Sequence, residues 1–148
     1  MNKIAVLALL IGSFCFSQTS EDDLIKASVE KLFIGMKNAD PEMIKSTFTE
    51  TAVLQSVSKD GTVKNEKIDD FISSISKFAK NDLDERITFE SIKIDDNLAS
   101  VFTPYEFYYK GNFSHCGVNS FQLVKQNNSW KIQYIIDTRR KENCRKGK

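Results

Sequence analysis

The sequence predicts an α+β domain in which N-terminal helices pack on one face of a bent antiparallel sheet. Two patterns predict this class: apolar residues recur at helical spacing in the first half of the chain, and they alternate with polar residues from Ile87 onward. The composition agrees, since 148 residues that are 41% hydrophobic and 28% charged suit one globular domain. We expect that domain to span residues 18–140.

The N-terminus has the pattern of a signal peptide over residues 1–17. A cationic start precedes an almost wholly apolar stretch at 4–16, about as long as the ~7–15 residue core of such signals. It is too short for a membrane-spanning helix, which needs roughly 20 apolar residues. Small residues at Cys15 and Ser17 predict cleavage after Ser17, hence a periplasmic or secreted protein that does not contact the membrane once cleaved. Lipidation of Cys15 is the alternative, which the bulky Phe14 disfavours.

The charge balance and the single histidine exclude several classes of partner. Twenty-one basic residues oppose 20 acidic ones, so no overall field favours nucleic acid. The basic C-terminal tail at 141–148 lacks interleaved aromatic residues, which favours a solvated segment over an anion-binding surface. The acids at 21–23 and at 69–70 resemble helix-start and solvent-facing groups. We therefore expect no metal, no cofactor and no nucleic acid.

Two cysteines remain after residues 1–17 are removed, Cys116 and Cys144. In an oxidising compartment they are candidates for a disulfide worth roughly 3 kcal/mol through the entropy of the unfolded chain. Two independent thiols are the alternative, because the sequence does not show whether the two Cα atoms are within reach.

Three helices are predicted in the first half of the chain. Ser20 followed by acids has the form of a capped helix start, and its apolar stripe consists of Ile25, Val29, Leu32, Phe33 and Met36. Asp40 and Pro41 then predict a short second helix, with an apolar face formed by Met43, Ile44 and Phe48. A third helix is predicted from about Asn65 to Phe78.

The remaining elements are predicted as strands. A first strand at Ala52–Val57 is followed by a turn at 59–62. Alternating patterns then predict four antiparallel strands at Ile87–Ile94, Leu98–Lys110, Ser114–Lys125 and Trp130–Thr138. Their links are short and rich in turn-forming residues, so each strand is expected to pair with the one before it.

The register of these strands predicts a pocket on the inner face. Pairing Phe121 with Tyr134, and Leu123 with Ile132, puts the apolar residues of the last two strands on one face. The same register brings together a polar set of His115, Gly117, Asn119, Arg140 and Thr138, with Thr103, Tyr105 and Phe107 beside it. A two-residue turn at Gly111–Asn112 would instead shift these last three by one position. The preferred register makes one end of the face hydrocarbon and the other polar, which is how an amphipathic pocket is built.

Several segments resemble the nuclear transport factor 2-like superfamily, and specifically its small exported bacterial members known as putative lumazine-binding proteins. The resembling segments are Asn38–Pro41, Ala52–Leu54, Pro104–Tyr108, Ser114–Val118, Phe121–Lys125 and Trp130–Ile132. The resemblance implies a cone, in which a strongly curved sheet wraps around helices and leaves a cavity open at one end. It does not imply one function, because the superfamily includes isomerases, dehydratases, cyclases, transport adaptors and association domains.

We therefore predict an exported domain that binds a small amphipathic or aromatic molecule. The candidate ligand-binding residues are His115, Tyr105, Phe107, Asn119, Tyr134 and Thr138. His115 is the only imidazole and titrates near neutrality, but it also fits a polar residue that is satisfied at the sheet end. The aromatic residues fit a hydrophobic core as well as a stacking site.

Two other functions stay open from the sequence. The first is an isomerase, dehydratase or cyclase that uses His115 as its base, although the acids Glu90 and Glu106 fall on uncertain or outward faces. The second is a ligand-free association module that forms a homodimer, as the resemblance implies for the outer face of the sheet. Val118, Ile135 and Phe102 are predicted to form that outward surface.

Overall fold

The computed structural model describes residues 19–144, and the predicted signal peptide lies outside them. Within this range the helices are α1 (Glu21–Asn38), α2 (Pro41–Lys45) and α3 (Ile68–Ile75). The strands are β1 (Phe48–Val57), β2 (Val63–Glu66), β3 (Leu83–Ile87), β4 (Ser91–Asp95), β5 (Leu98–Tyr109), β6 (Asn112–Gln126) and β7 (Ser129–Arg140). None of these helices is long and apolar enough to cross a membrane.

Local hydrogen bonds determine both ends of helix α1. The Ser20 hydroxyl accepts a hydrogen bond from the Asp23 amide at 3.2 Å, which satisfies one free N–H of the first turn. At the other end Ala39 adopts a left-handed conformation and returns its N–H to the carbonyls of Gly35 and Met36. The predicted apolar stripe is confirmed, since all five of its residues are buried: Ile25, Val29, Leu32, Phe33 and Met36.

Helix α2 is shorter than predicted. Asp40 caps it by accepting from the Met43 amide at 2.9 Å, with Pro41 at the first helical position. The Thr47 hydroxyl donates to the Ile44 carbonyl at 2.7 Å, and the chain then leaves the helix. The prediction that Phe48 belongs to the helical apolar face is wrong, because Phe48 is the first residue of β1.

The sheet is curved and mixed. Its strand order is β2-β1-β7-β6-β5-β3, with β4 also paired to β5. The antiparallel meander from β4 to β7 is confirmed. Strand β1, however, lies parallel to β7, so the sheet is not wholly antiparallel. The first and last strands in sequence, β1 and β7, are therefore neighbours in space, and helices α1 and α3 face the inner side of the sheet.

Two short strands depart from the predicted elements. Strand β2 occupies part of the predicted third helix, which begins only at Ile68. All its side chains are exposed, so no alternation in the sequence marked it, and backbone pairing with β1 holds it. Of the predicted strand at Ile87–Ile94, only Ile87 belongs to β3, most of which was not predicted, and residues 91–94 belong to β4. The break between the two strands lies opposite Pro104, which has no N–H to donate.

Backbone irregularities set the register of the inner face. The turn between β5 and β6 consists of Lys110 and Gly111, which is neither of the two predicted turns, but an irregularity at Ser114 gives the predicted pairing of Phe107 with His115. Tyr105 accordingly faces Gly117, and Thr103 faces Asn119.

Between β6 and β7 the predicted register is wrong beyond Leu123. Leu123 pairs with Ile132 as predicted, but Phe121 pairs with Ile135 instead of Tyr134. The extra residue is Gln133, whose side chain bonds to Thr49 and to the Thr51 carbonyl of β1.

This bulge exchanges the two faces of the second half of β7. Ile135, Asp137 and Arg139 line the interior, whereas Tyr134, Ile136 and Thr138 alternate with them on the other face. The prediction that Ile135 belongs to an outward association surface is therefore wrong. Val118 pairs with Thr138 and stays on the outer face, and a homodimer through that face stays a prediction.

A disulfide joins the middle of the sheet to the end of the described chain. Cys116 of β6 is bonded to Cys144, with their Cα atoms 5.7 Å apart. Cys116 is 1% exposed, so its sulfur is covered by protein. The first residues of the predicted basic tail are thereby held beside β6 and β7.

Candidate functional site

A cavity of about 540 Å³ lies between the inner face of the sheet and helices α1 and α3. This volume falls within the range of roughly 300–1,000 Å³ that is common for small-molecule sites. Much of the lining is hydrocarbon or aromatic. We call this part the apolar wall, and it consists of Leu32, Phe33 and Met36 of α1, Phe71 and Ile75 of α3, and Phe121 and Ile135 of the sheet.

The sheet contributes a group of polar side chains to the same cavity. We call it the polar cluster, and it consists of Glu85, Tyr105, Asn119, Asp137 and Arg139. Four different strands supply it, β3, β5, β6 and β7, so it exists only once the sheet has formed. Tyr105, Asn119 and Asp137 are buried, whereas the Arg139 side chain is 55% exposed and so lies near solvent.

Tyr105 is held tightly over a glycine. Its hydroxyl donates to the Thr138 carbonyl at 3.0 Å, with an Asp137 carboxylate oxygen 3.4 Å away. A Cβ atom on Gly117 would lie 1.8 Å from the Thr138 carbonyl oxygen and 2.7 Å from the Tyr105 ring, so only glycine fits there. Burial raises the pKa of Tyr105 well above its ordinary value, and the hydroxyl stays protonated.

Asp137 is buried and only half satisfied. Its Oδ2 accepts from the Arg139 Nε at 2.7 Å. Its Oδ1 is inaccessible to solvent and has no hydrogen-bond partner within residues 19–144. Because a buried carboxylate oxygen without a donor costs free energy, this atom is the least satisfied point of the cluster.

Glu85 titrates near neutrality. Its Oε1 accepts from the Asn119 amide at 2.8 Å, and its side chain faces the cavity. Burial raises the pKa of Glu85 to about 7; the Asn119 hydrogen bond lowers it, the Asp137 charge raises it and Arg139 lowers it. Both protonation states of Glu85 are therefore populated at neutral pH.

His115 lies beside the cluster, in an aromatic environment. Its ring centroid is 4.9 Å from that of Phe107 and 5.8 Å from that of Tyr105, and its Nδ1 lies 3.1 Å from the Ser114 hydroxyl. Burial lowers the pKa of His115, and the charge of Arg139 acts in the same direction. The neutral imidazole is thus favoured, and its nearest polar partner is a hydroxyl.

The structure brings together four of the six predicted ligand-binding residues. His115, Tyr105, Phe107 and Asn119 all line the cavity. The other two do not. The Tyr134 hydroxyl donates to Gln55 on the outer face at 2.6 Å, and the exposed Thr138 contributes only its carbonyl, which accepts from Tyr105. The cause is the extra residue at Gln133, which turns both side chains away.

Three members of the polar cluster were missed from the sequence: Glu85, Asp137 and Arg139. Asp137 and Arg139 alternate with Thr138, and the register without a bulge places the wrong member of each pair inside. Glu85 precedes the predicted strand, in a segment that pairs along the β5 edge. One signal was present, because Asp137 follows three apolar or aromatic residues within a strand. Among residues 19–144, no three His, Cys, Asp or Glu side chains are placed to hold a metal ion.

The chain was compared with known families, curated proteins and solved structures. A family model described as putative lumazine-binding matches residues 20–134. No curated protein matches the chain.

Solved structures show the same fold at low sequence identity. A nuclear transport factor 2-like protein of unknown function from Shewanella baltica is 17% identical, covers 83% of this chain and 98% of its own, and has a TM-score of 0.65. A domain of unknown function with a cystatin-like fold from Nostoc punctiforme is 16% identical over 84% of this chain and 80% of its own, with a TM-score of 0.67. A ketosteroid isomerase-like protein from Erwinia carotovora is 15% identical over 78% and 93%, with a TM-score of 0.59.

The family model covers most of the chain, and the relatives share helices packed on a curved, unclosed sheet. This chain therefore belongs to the putative lumazine-binding family, and it has the same fold as nuclear transport factor 2-like proteins.

Proposed function

We propose that this protein binds a small amphipathic or aromatic molecule in the cavity, outside the cytoplasm. The apolar body of the ligand would lie against the apolar wall, and its polar group would face the polar cluster. One observation carries this proposal: a cavity of about 540 Å³ combines a hydrocarbon wall with polar side chains from four strands.

The cavity and the buried Asp137 both reduce the stability of the fold, and a purely structural interior would avoid them. Protein cores are close-packed, and a space of this size forgoes dispersion contacts along its whole lining. Burying Asp137 with one unpaired oxygen adds a further cost. A ligand that packs against the apolar wall would offset the first of these costs.

Two features support a location outside the cytoplasm. Residues 1–17 have the pattern of a signal peptide. The Cys116–Cys144 disulfide suits an oxidising compartment, where such bonds persist. The proposed ligand is therefore one that is present in the periplasm or the medium.

Native mass spectrometry of the protein, purified from its own compartment, tests the binding function. We expect a retained small molecule that is lost in Ser74→Trp, because Ser74 lines the cavity from α3 and a Trp there would fill it. Ser73→Trp is the matched control, since Ser73 is exposed on the same helix. Retention of the same molecule by both variants would place binding elsewhere and refute the proposal.

A second candidate function is acid–base catalysis in this cavity, with Glu85 moving the proton. The observation that favours it is a buried carboxyl group whose pKa is about 7, the range suited to proton transfer at neutral pH. Incubation of the copurified molecule with fresh protein would then yield a product. The rate should follow one ionisation near pH 7 and be lost in Glu85→Gln; loss in His115→Gln alone would assign the proton transfer to the imidazole instead.

A further inference from the structure

We propose that the open end of the cavity docks on the surface of an anionic phospholipid bilayer, with the tip of the β5–β6 hairpin at the lipid headgroups. This inference goes beyond the proposed function, and it departs from the sequence-based expectation that the cleaved protein does not contact the membrane. The exposed residues of the cavity lining are Glu66, Tyr109 and Arg139, so the cavity opens beside β2 and the ends of β5 and β7.

Two segments next to this opening form one continuous surface. We call it the tip surface, and it consists of residues 109–113 of the hairpin and residues 76–82 after α3. The Lys110 amide donates to the Asp82 carbonyl at 2.8 Å, and the rings of Tyr109 and Phe78 meet edge-to-face at 5.9 Å. The hairpin projects beyond β7, because β7 pairs with β6 only as far as Cys116. The tip surface is therefore placed where it can meet a flat partner.

Large aromatic side chains are exposed on the tip surface. Tyr109 is 39% exposed and Phe113 is 45% exposed. Phe113 is held in place by an edge-to-face contact with Tyr108, at 5.9 Å between ring centroids. Tyr is enriched where a bilayer meets water, and Phe is a common apolar anchor of proteins that lie in this interface. The tip thus has the apolar groups that interfacial docking requires.

Lysine side chains accompany these rings. Lys110 lies in the hairpin turn, with its Nζ 5.4 Å from the centre of the Tyr109 ring. Lys77 and Lys80 are exposed in the other segment. None of these three lysines forms an ion pair within residues 19–144. Their ammonium groups are therefore available to lipid phosphates, while their hydrocarbon chains lie along apolar surface.

The acids of this region do not cancel the lysines. Asp82 is the only acid in the two segments, and its carboxylate accepts from the Ala79 amide at 3.1 Å. Asp84, the next acid along the chain, is held between Lys37 and Arg86, each at 2.9 Å. The tip surface consequently has a net positive charge, which complements an anionic bilayer.

The hairpin at the other end of β5 supplies a comparison within the molecule. The β4–β5 hairpin also exposes large apolar residues, Ile94 at 40% and Leu98 at 46%. Its turn carries Asp95 and Asp96, however, which an anionic surface repels. Because β5 is 12 residues long, the two hairpins lie roughly 35–40 Å apart. Charge therefore selects which end of the molecule docks, and the selected end is the one at which the cavity opens.

Vesicle flotation tests the proposal with the folded, mature protein. The probes are vesicles of phosphatidylcholine, alone or with about 30% phosphatidylglycerol. At low salt we expect the partition coefficient to be at least about tenfold higher for the anionic vesicles, and about 0.5 M NaCl should remove the difference by screening. Lys77→Glu combined with Lys80→Glu should abolish the preference. Lys45→Glu combined with Lys93→Glu is the matched control, because both lysines are exposed outside the tip surface.

A second pair of variants tests the aromatic groups. Tyr109→Ser with Phe113→Ser should lower the partition coefficient about tenfold, whereas Ile94→Ser with Leu98→Ser should leave it unchanged. Absence of flotation at low salt, equal binding to neutral vesicles, or equal losses in test and control variants would each overturn the proposal. Ser74→Trp fills the cavity without altering the tip surface and should float like the wild type. Vesicle docking and ligand binding can therefore fail independently of each other.

Discussion

The two sides of the cavity are held by different forces. On the helix side, Leu32 and Phe33 pack into the hydrophobic core, and Phe33 meets Phe121 edge-to-face at 6.2 Å. Each such fully buried side chain contributes about 1.5–3 kcal/mol. On the sheet side, Glu85 and Asp137 are carboxyl groups removed from water and only partly compensated. The comparison teaches that the apolar wall, to which both helices and sheet contribute, stabilises the fold, whereas the polar cluster leaves a buried carboxylate oxygen unsatisfied.

The largest loss of stability is expected from the apolar wall. Phe121→Ala removes a fully buried ring, so the free energy of unfolding should fall by about 4 kcal/mol. Phe113→Ala is the control, because Phe113 is 45% exposed, and it should cost less than about 1 kcal/mol. Urea unfolding measures both. A similar small cost for the two variants would mean that the apolar wall does not carry the stability assigned to it.

A slightly smaller effect is expected where three neighbouring strands of the sheet approach closely at Gly117. Gly117→Ala should lower the free energy of unfolding by about 3 kcal/mol, because its Cβ would overlap the Thr138 carbonyl and displace Tyr105. Gly111→Asn is the control, since Gly111 has a φ of 78°, nothing near its Cβ, and a conformation that Asn tolerates. Differential scanning calorimetry would compare their Tm values; equal Tm values would contradict the close approach.

The free energy of unfolding should depend on pH through Glu85 of the polar cluster. Glu85 has an ordinary pKa of 4.5 and a folded pKa of about 7, so the folded state binds more protons between these values. The free energy of unfolding therefore falls as the pH rises from 4.5 to 7, by about 3 kcal/mol from this group. Glu85→Gln should lack this fall and be the more stable protein above pH 7.

Urea unfolding of the wild-type protein and Glu85→Gln across this pH range measures the difference between their free energies of unfolding. Groups that titrate equally in both proteins cancel in this difference. The cancellation matters because the pKa of His115 is lowered by burial, so His115 adds stability as the pH rises and acts in the opposite direction. Parallel curves for the two proteins would show that Glu85 is not perturbed by burial.

The smallest expected effect distinguishes the inner from the outer face of the sheet. Tyr105→Phe removes a buried hydroxyl that donates to the Thr138 carbonyl, which should cost about 1 kcal/mol and weaken retention of the ligand. Tyr134→Phe removes a hydroxyl that bonds to Gln55 on the outer face, so ligand retention should be unchanged. Native mass spectrometry compares the two variants. Ligand loss in Tyr134→Phe would mean that Tyr134 faces the cavity, as the register without the bulge predicts.

Much of the helix side was predictable because helical periodicity is local. The five residues of the α1 stripe, and the caps at Ser20 and Asp40, follow from spacing and side-chain chemistry within a few residues. The antiparallel meander and the pairing of Leu123 with Ile132 were predictable for the same reason, since short turns join strands that alternate. Strand β2 was not, because its exposed residues carry no pattern of burial.

The composition of the polar cluster was decided by tertiary structure. One extra residue at Gln133 is held by hydrogen bonds to β1, a strand distant in sequence and parallel to β7. That residue reverses which side chains of β7 face the cavity, exchanging Tyr134 and Thr138 for Ile135 and Asp137. The sequence by itself determined the helices, the antiparallel meander and the buried stripe of α1, because these depend on local periodicity. The charge and chemistry of the site depend on a long-range bulge and on the burial of Glu85, which only the assembled sheet provides.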